Sequence, residues 1–188
     1  MRGNPAVFRG LAFIVFAGGP AAAQTRQVTI AVLPFEDRGS YGQEKDIYRA
    51  LRLGIPATLT SELNGHPELR LVERSRVAQA VRSEDLGPNP RLDAATAARI
   101  GKQVGAGYAV TGNFEDFYGR FHLDARIIDT ETGQIVKVVS NNDPNLQDQA
   151  DLFRIVQLVG HRVLTESLPK AHHPARAVPN HVRFRPML

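Results

Sequence analysis

The chain has 188 residues, 43% hydrophobic and 22% charged, which suits one globular domain with a sizeable core. It contains no cysteine, which excludes disulfides, thiolate zinc sites and a lipid anchor carried on a cysteine. The formal charge is +4, but Arg2 and Arg9 lie in the leading segment and Lys170, Arg176, Arg183 and Arg185 in the last 20 residues, so the part between keeps a net −2 and no basic groove for nucleic acid is expected.

Residues 1–23 read as a secretory signal peptide: an early Arg2 and Arg9, a short apolar run from Leu11 to Ala17, then Gly18, Gly19 and Pro20 before Ala21-Ala22-Ala23. The apolar run is far shorter than the roughly 20 residues of a membrane span. The expected division is therefore a leader at 1–23, a domain at 24–168 and a basic, proline- and histidine-rich tail at 169–188, with no span and at most peripheral contact with the outer membrane.

Val28 to Phe35 (VTIAVLPF) is apolar and β-branched and predicts a central strand buried on both faces, with Pro34 and the polar residues after it ending the run. A helix is predicted over 44–63 from Ile47, Leu51, Ile55, Leu59 and Leu63, with a kink or break where Gly54 and Pro56 interrupt it. Leu69 to Glu73 gives a short strand, Arg74 to Arg82 a short helix with Val77, Ala78 and Val81 on one side, and 87–90 a loop. Asp93 caps a helix over Ala94 to Val104 whose small residues allow close packing on a sheet. Strands are predicted at Tyr108 to Phe114, Arg120 to Asp129 and Gln134 to Ser140, with a hairpin at Asp129 to Gly133, and a last helix over 147–168. The order is β-α-β-α-α-β-β-β-α, an α/β (α+β) fold with a mixed sheet and helices packed on it.

Four stretches together carry a resemblance: IAVLPFED (Ile30 to Asp37), LVER (Leu71 to Arg74), IGKQVGAGYAVTGNF (Ile100 to Phe114) and ARIIDTETGQIV (Ala125 to Val136). They resemble the cell-envelope module shared by the curli-secretion CsgG family, the flagellar-envelope FlgO family and the N-terminal domain of TolB, over about residues 27–168. The resemblance implies a non-enzymatic periplasmic protein that binds other cell-envelope proteins or assembles into a homo-oligomer, serving secretion or envelope assembly. A related alternative is an activator of a peptidoglycan synthase, as in outer-membrane activator lipoproteins of the LpoB type.

Chemistry-bearing residues were weighed against structural roles. Glu73 and Arg74 could form a partner-binding ion pair, though fixing a strand-to-helix turn is the preferred role. Gly101, Gly105, Gly107 and Gly112 follow a helix and precede a strand, the reverse of a phosphate-binding loop, so they read as a helix cap and a tight approach to the sheet. In the strand from Arg120, the residues Phe121, Leu123, Ala125 and Ile127 alternate with Arg120, His122, Asp124 and Arg126, so the second set faces water or a partner. Tyr41, Tyr48, Phe117, Tyr118 and Phe121 are candidates for an aromatic contact surface; core packing is the expected role of Phe121, and Tyr118 on the opposite strand face is a better contact candidate. No catalytic site, cofactor or metal site is expected. A metal-dependent hydrolase using Asp37, Asp116 and the tail histidines His172, His173 and His181 is the alternative from another class.

Overall fold

The computed structural model describes residues 27–41, 45–84, 86 and 91–167. The leader at 1–23, the loop at 87–90 and the tail at 169–188 lie outside them.

The described chain forms strands β1 (Val28–Asp37), β2 (Leu69–Leu71), β3 (Tyr108–Phe117), β4 (Arg120–Asp129) and β5 (Ile135–Ser140), and helices α1 (Lys45–Leu63), α2 (Arg74–Ser83), α3 (Ala94–Gln103) and α4 (Leu152–Arg162). The sheet runs β2-β1-β3-β4-β5. β1 pairs parallel with β2 and with β3, and the β3–β4 and β4–β5 pairs are antiparallel. Each face of the sheet carries its own core. Ile30, Val32, Phe35, Val110, Phe114 and Leu123 pack against Ile55 and Leu59 of α1 and Ile155 and Val159 of α4. On the other face Ala31, Leu33, Ala109 and Ile128 meet Val77 of α2 and Ala97 and Ile100 of α3. This three-layer arrangement is why β1 is apolar on both sides.

Pro34 does not end the first strand. β1 runs on to Asp37, and its pairing with β3 shifts between Val32 and Phe35, where one extra residue sits on β1 opposite Thr111. Proline cannot donate to a ladder, and it sits here beyond the reach of β2, which pairs only to Ile30, and at a bulge opposite β3. The Thr111 hydroxyl donates to the Pro34 carbonyl at 2.7 Å. The extra residue also resets the alternation, which is how Val32 and Phe35 come to share one core.

Nor does Pro56 break α1, which continues through it for 19 residues. A proline inside a helix, through its missing hydrogen bond and its ring's clash with the preceding turn, costs about 3 kcal/mol. Buried Ile55, Leu59 and Leu63 hold the helix on β1 and α4 and outweigh that cost. The Thr58 and Thr60 hydroxyls donate to the carbonyls of Gly54 and Pro56, at 3.2 and 2.7 Å. Ala78 is exposed, and Ala80 joins Val77 on the buried side of α2 instead.

The last helix starts later than expected. The Phe121 N–H donates to the Gln147 carbonyl at 2.6 Å and the Gln149 N–H to the Gly119 carbonyl at 2.9 Å, which ties 147–149 to the β3–β4 hairpin. Only after a 3-10 turn at Gln149–Asp151 does α4 begin, and it closes in a π-helical turn at Val163–Ser167. No helix among the described residues is long and apolar enough to cross a membrane.

Candidate functional site

The features that the core does not explain gather at one end of the sheet, where β1 ends and β3 turns into β4. The β3–β4 hairpin has a two-residue loop, Tyr118-Gly119, with φ of 52° and 84°. Positive φ at both positions is the type I′ geometry that suits the right-handed twist of the strands. Gly119 is at home there, whereas an L-residue with a Cβ spends about 1–2 kcal/mol in the left-handed region. Asn or Gly would serve the turn better, so the tyrosine is not there for the turn. Residues held in such conformations concentrate at functional sites.

Around it the chain places two more rings. Tyr41 bridges to Phe117 beside the hairpin, its N–H donating to the Asp116 carbonyl at 2.8 Å. Tyr41 and Tyr118 stack at 6.4 Å, and Phe117 sits edge-on to both, 5.6 Å from Tyr41 and 4.9 Å from Tyr118. The three rings are 61%, 57% and 79% exposed for Tyr41, Phe117 and Tyr118. They satisfy one another's edges and faces but leave most of their area to solvent.

Asp116 is the clamp beneath this tip. It is 2% exposed. Its carboxylate accepts from the Tyr48 hydroxyl at 3.2 Å and from the Gly119 N–H at 2.8 Å, while its own N–H donates to the Ser40 hydroxyl at 3.0 Å. One side chain thus joins α1 to the hairpin turn, and its backbone adds the segment after β1. Asp37 has a similar local task, accepting from the Ser40 N–H and hydroxyl at 2.8 and 2.7 Å and from the Gly39 N–H at 3.1 Å. The two carboxylates considered for hydrolysis therefore both hold loops in place, and among the described residues no cluster of histidines and acids has the shape of a metal site.

Next to the tip lies a polar cavity of about 460 Å³ lined by Glu36, Asp37, Ser40, Lys45, Tyr48, Arg49, Arg52 and Arg91. An apolar groove of about 420 Å³ opens between α1 and α2, with Leu53, Pro56, Val77, Ala78 and Val81 on its walls and Arg74 at its rim.

The other expected contact residues separate into three groups. Glu73 and Arg74 do not pair: the Glu73 carboxylate accepts from the Ser75 hydroxyl at 2.7 Å at the start of α2. On β4, the Arg120 guanidinium donates to the Gln147 side chain. His122 lies 3.1 Å from Asp124, which also accepts from the Ser140 hydroxyl. Arg126 is half-buried, donates to the Leu92 carbonyl at 3.2 Å, and has its Nε buried with no hydrogen-bond partner among the described residues. This face of β4 is therefore knitted to its neighbours more than it is open. Tyr118 belongs to the turn, not to a strand face, and of the five aromatic candidates Tyr48 and Phe121 are core. The juxtaposition of Tyr41 with the hairpin was not visible in the sequence. The available signal was a tyrosine directly before a glycine at a place where two strands must reverse.

Two carboxyls near the α2–α3 side are shifted by partners. Hydrogen bonding to Arg99 holds the Glu84 carboxyl below its usual range, through contacts of 2.6, 2.9 and 3.2 Å. The Asp93 carboxyl is lowered chiefly by the Thr96 N–H, which donates to it at 2.7 Å, and then by the Thr96 hydroxyl.

Fold and site together define a mixed five-stranded α+β domain, helices on both faces, that presents an exposed aromatic tip beside a basic cavity. No protein-family model and no curated protein matches the chain. Among solved structures it is similar to the C-terminal domain of LpoB from Salmonella enterica, with a TM-score of 0.40 and 20% identity over 64% of this chain and 84% of that one. It is similar as well to TolB from Acinetobacter baumannii, at 0.42 and 16% over 74% of this chain and 29% of that one. The lipoprotein GNA1162 from Neisseria meningitidis matches at 0.46 and 13%, over 74% of this chain and 98% of that one.

Proposed function

We propose that this chain is a non-enzymatic periplasmic protein that docks other cell-envelope proteins through the tip formed by Tyr41, Phe117 and Tyr118. The observation that carries this reading is Tyr118. A large aromatic side chain is held in a backbone conformation that costs energy and is left 79% exposed. Rigid aromatic rings that lose little freedom on binding are the side chains that dominate contact energies between proteins. The export-like leader and the resemblance at Ile30 to Asp37 and Ile100 to Phe114 supply the compartment.

The test is a photo-crosslinking amino acid placed at Tyr118 in cells, compared with one at exposed Arg70 on the far edge of the sheet. Adducts with envelope proteins from position 118 and none from position 70 are expected. Equal labelling from both positions, or none from either, overturns the reading. A Tyr118→Asn protein suits the turn at least as well, so it should stay folded, unfold at an equal or higher temperature, and lose partner contact. Assembly in the manner of the curli-secretion family and activation of a peptidoglycan synthase differ in stoichiometry. Light scattering on the chain from Gln24 onward separates them: a defined oligomer supports assembly, and a monomer supports an activator that docks singly.

A further inference from the structure

The cavity beside the tip has a composition that protein docking does not require. Four cations face it: Lys45, Arg49 and Arg52 from the first half of α1, and Arg91 from the segment before α3. The two acids that line it among the described residues are already engaged by backbone donors, Glu36 by the Leu92 N–H and Asp37 by the N–H groups of Gly39 and Ser40. Arg49 has an exposed partner in Asp46 at 3.4 Å. Lys45, Arg52 and Arg91 form no ion pair among the described residues. Like charges around one cavity repel, and Lys45 stands in the first turn of α1, the end where the helix dipole disfavours a cation. An anion in the cavity offsets both costs.

Its place in the fold points the same way. The chain leaves β1 through α1 on one face of the sheet and reaches the neighbouring β3 from α2 and α3 on the other. At the carboxyl ends of parallel strands, such a change of side leaves a crevice in which α/β sheets bind ligands. Lys45 and Arg52 are two helical turns apart, about 10 Å along the axis, a spacing that lets their side chains meet two anionic groups of one molecule. The cavity of about 460 Å³ also exceeds a single ion, since a water molecule takes about 30 Å³.

From this arrangement we infer that the cavity binds a small polyanion, a molecule with at least two carboxylate or phosphate groups gripped by Arg52, Arg91 and Lys45. Guanidinium forks match both groups in bidentate geometry.

The full chain should be titrated with pyrophosphate and with citrate at constant ionic strength, by calorimetry and by amide chemical shifts. The expected result is saturable one-to-one binding of at least one of them, with shifts at Asp37 to Ser40, the first turns of α1 and Leu92. Stronger binding of pyrophosphate assigns phosphate ligands, and stronger binding of citrate assigns carboxylates. Arg52→Gln and the exposed Arg91→Gln should each weaken binding about 10-fold, the loss expected for one charged hydrogen bond. Tyr118→Asn should leave it unchanged, so this site stands or falls independently of the docking tip. Non-saturating binding, shifts confined to the cations after Leu168, or wild-type affinity in the Arg52→Gln/Arg91→Gln protein would each overturn the inference.

Discussion

At Gly112 a Cβ would lie 1.9 Å from the Asp124 carbonyl oxygen and 2.5 Å from Cε1 of Phe35. The backbone of β4 and a core ring already occupy the space, and neither can retreat without moving the sheet. Gly112→Ala is therefore expected to cost about 3 kcal/mol or more, read as a lower urea midpoint or as loss of soluble protein. Its place in the strand Tyr108 to Phe114 and a tight approach to the sheet are legible in the sequence, but the carbonyl and the ring that press on it are not. Gly105, with φ of 74°, does have the role of helix cap that its position suggested. Asp93 offers a milder test. Its side chain caps α3 through the Thr96 N–H, and its carboxyl titrates below the ordinary value. A depressed carboxylate adds stability above its unfolded pKa and loses it as the pH falls through the folded one. Asp93→Ala should then lower stability by about 1 kcal/mol at neutral pH. The gap to wild type should narrow as the pH falls below the ordinary carboxyl range and the depressed carboxylate is protonated, as urea melts at several pH values would show.

Helices and strands were legible where the signal is local. Arg120 to Ile127 alternates without a break and Arg120 to Asp129 is a strand with the predicted bounds, and the cap at Asp93 starts α3 where expected. Misreadings arose where a distant contact decided the outcome. The stripe chosen for α1 took every fourth residue, which drifts about 40° per step around a helix of 3.6 residues per turn. By Ile47 the drift has carried the side chain to the surface, and Tyr48 faces the core in its place. Pro34 and Pro56 looked like punctuation, yet a bulge absorbs one and tertiary packing overrides the other. Asp116 reads in the sequence as a candidate hydrolytic acid because nothing nearby hints at Tyr48, its partner 68 positions away.

In the whole molecule the two edges of the sheet differ. β2 is only three residues long, whereas β5 exposes Ile135, Val136 and Val138 and pairs, among the described strands, with β4 alone. A free edge bearing apolar side chains is where a second strand adds most readily. If the chain assembles in solution, β5 is the edge to disrupt: Val138→Lys should lower the mass seen by light scattering at high concentration, and an unchanged oligomer would place the contact elsewhere. The tip has a further use that follows from composition. The protein has four tyrosines and no tryptophan. Two of the four stack in the open at the tip, while Tyr48 is buried and Tyr108 half-buried. Its ultraviolet emission is therefore tyrosine emission, unmasked by any indole, and a tryptophan-free partner that covers the hairpin will alter it directly. The molecule carries its own optical reporter at the place where contact is proposed, and no dye need be attached to watch it.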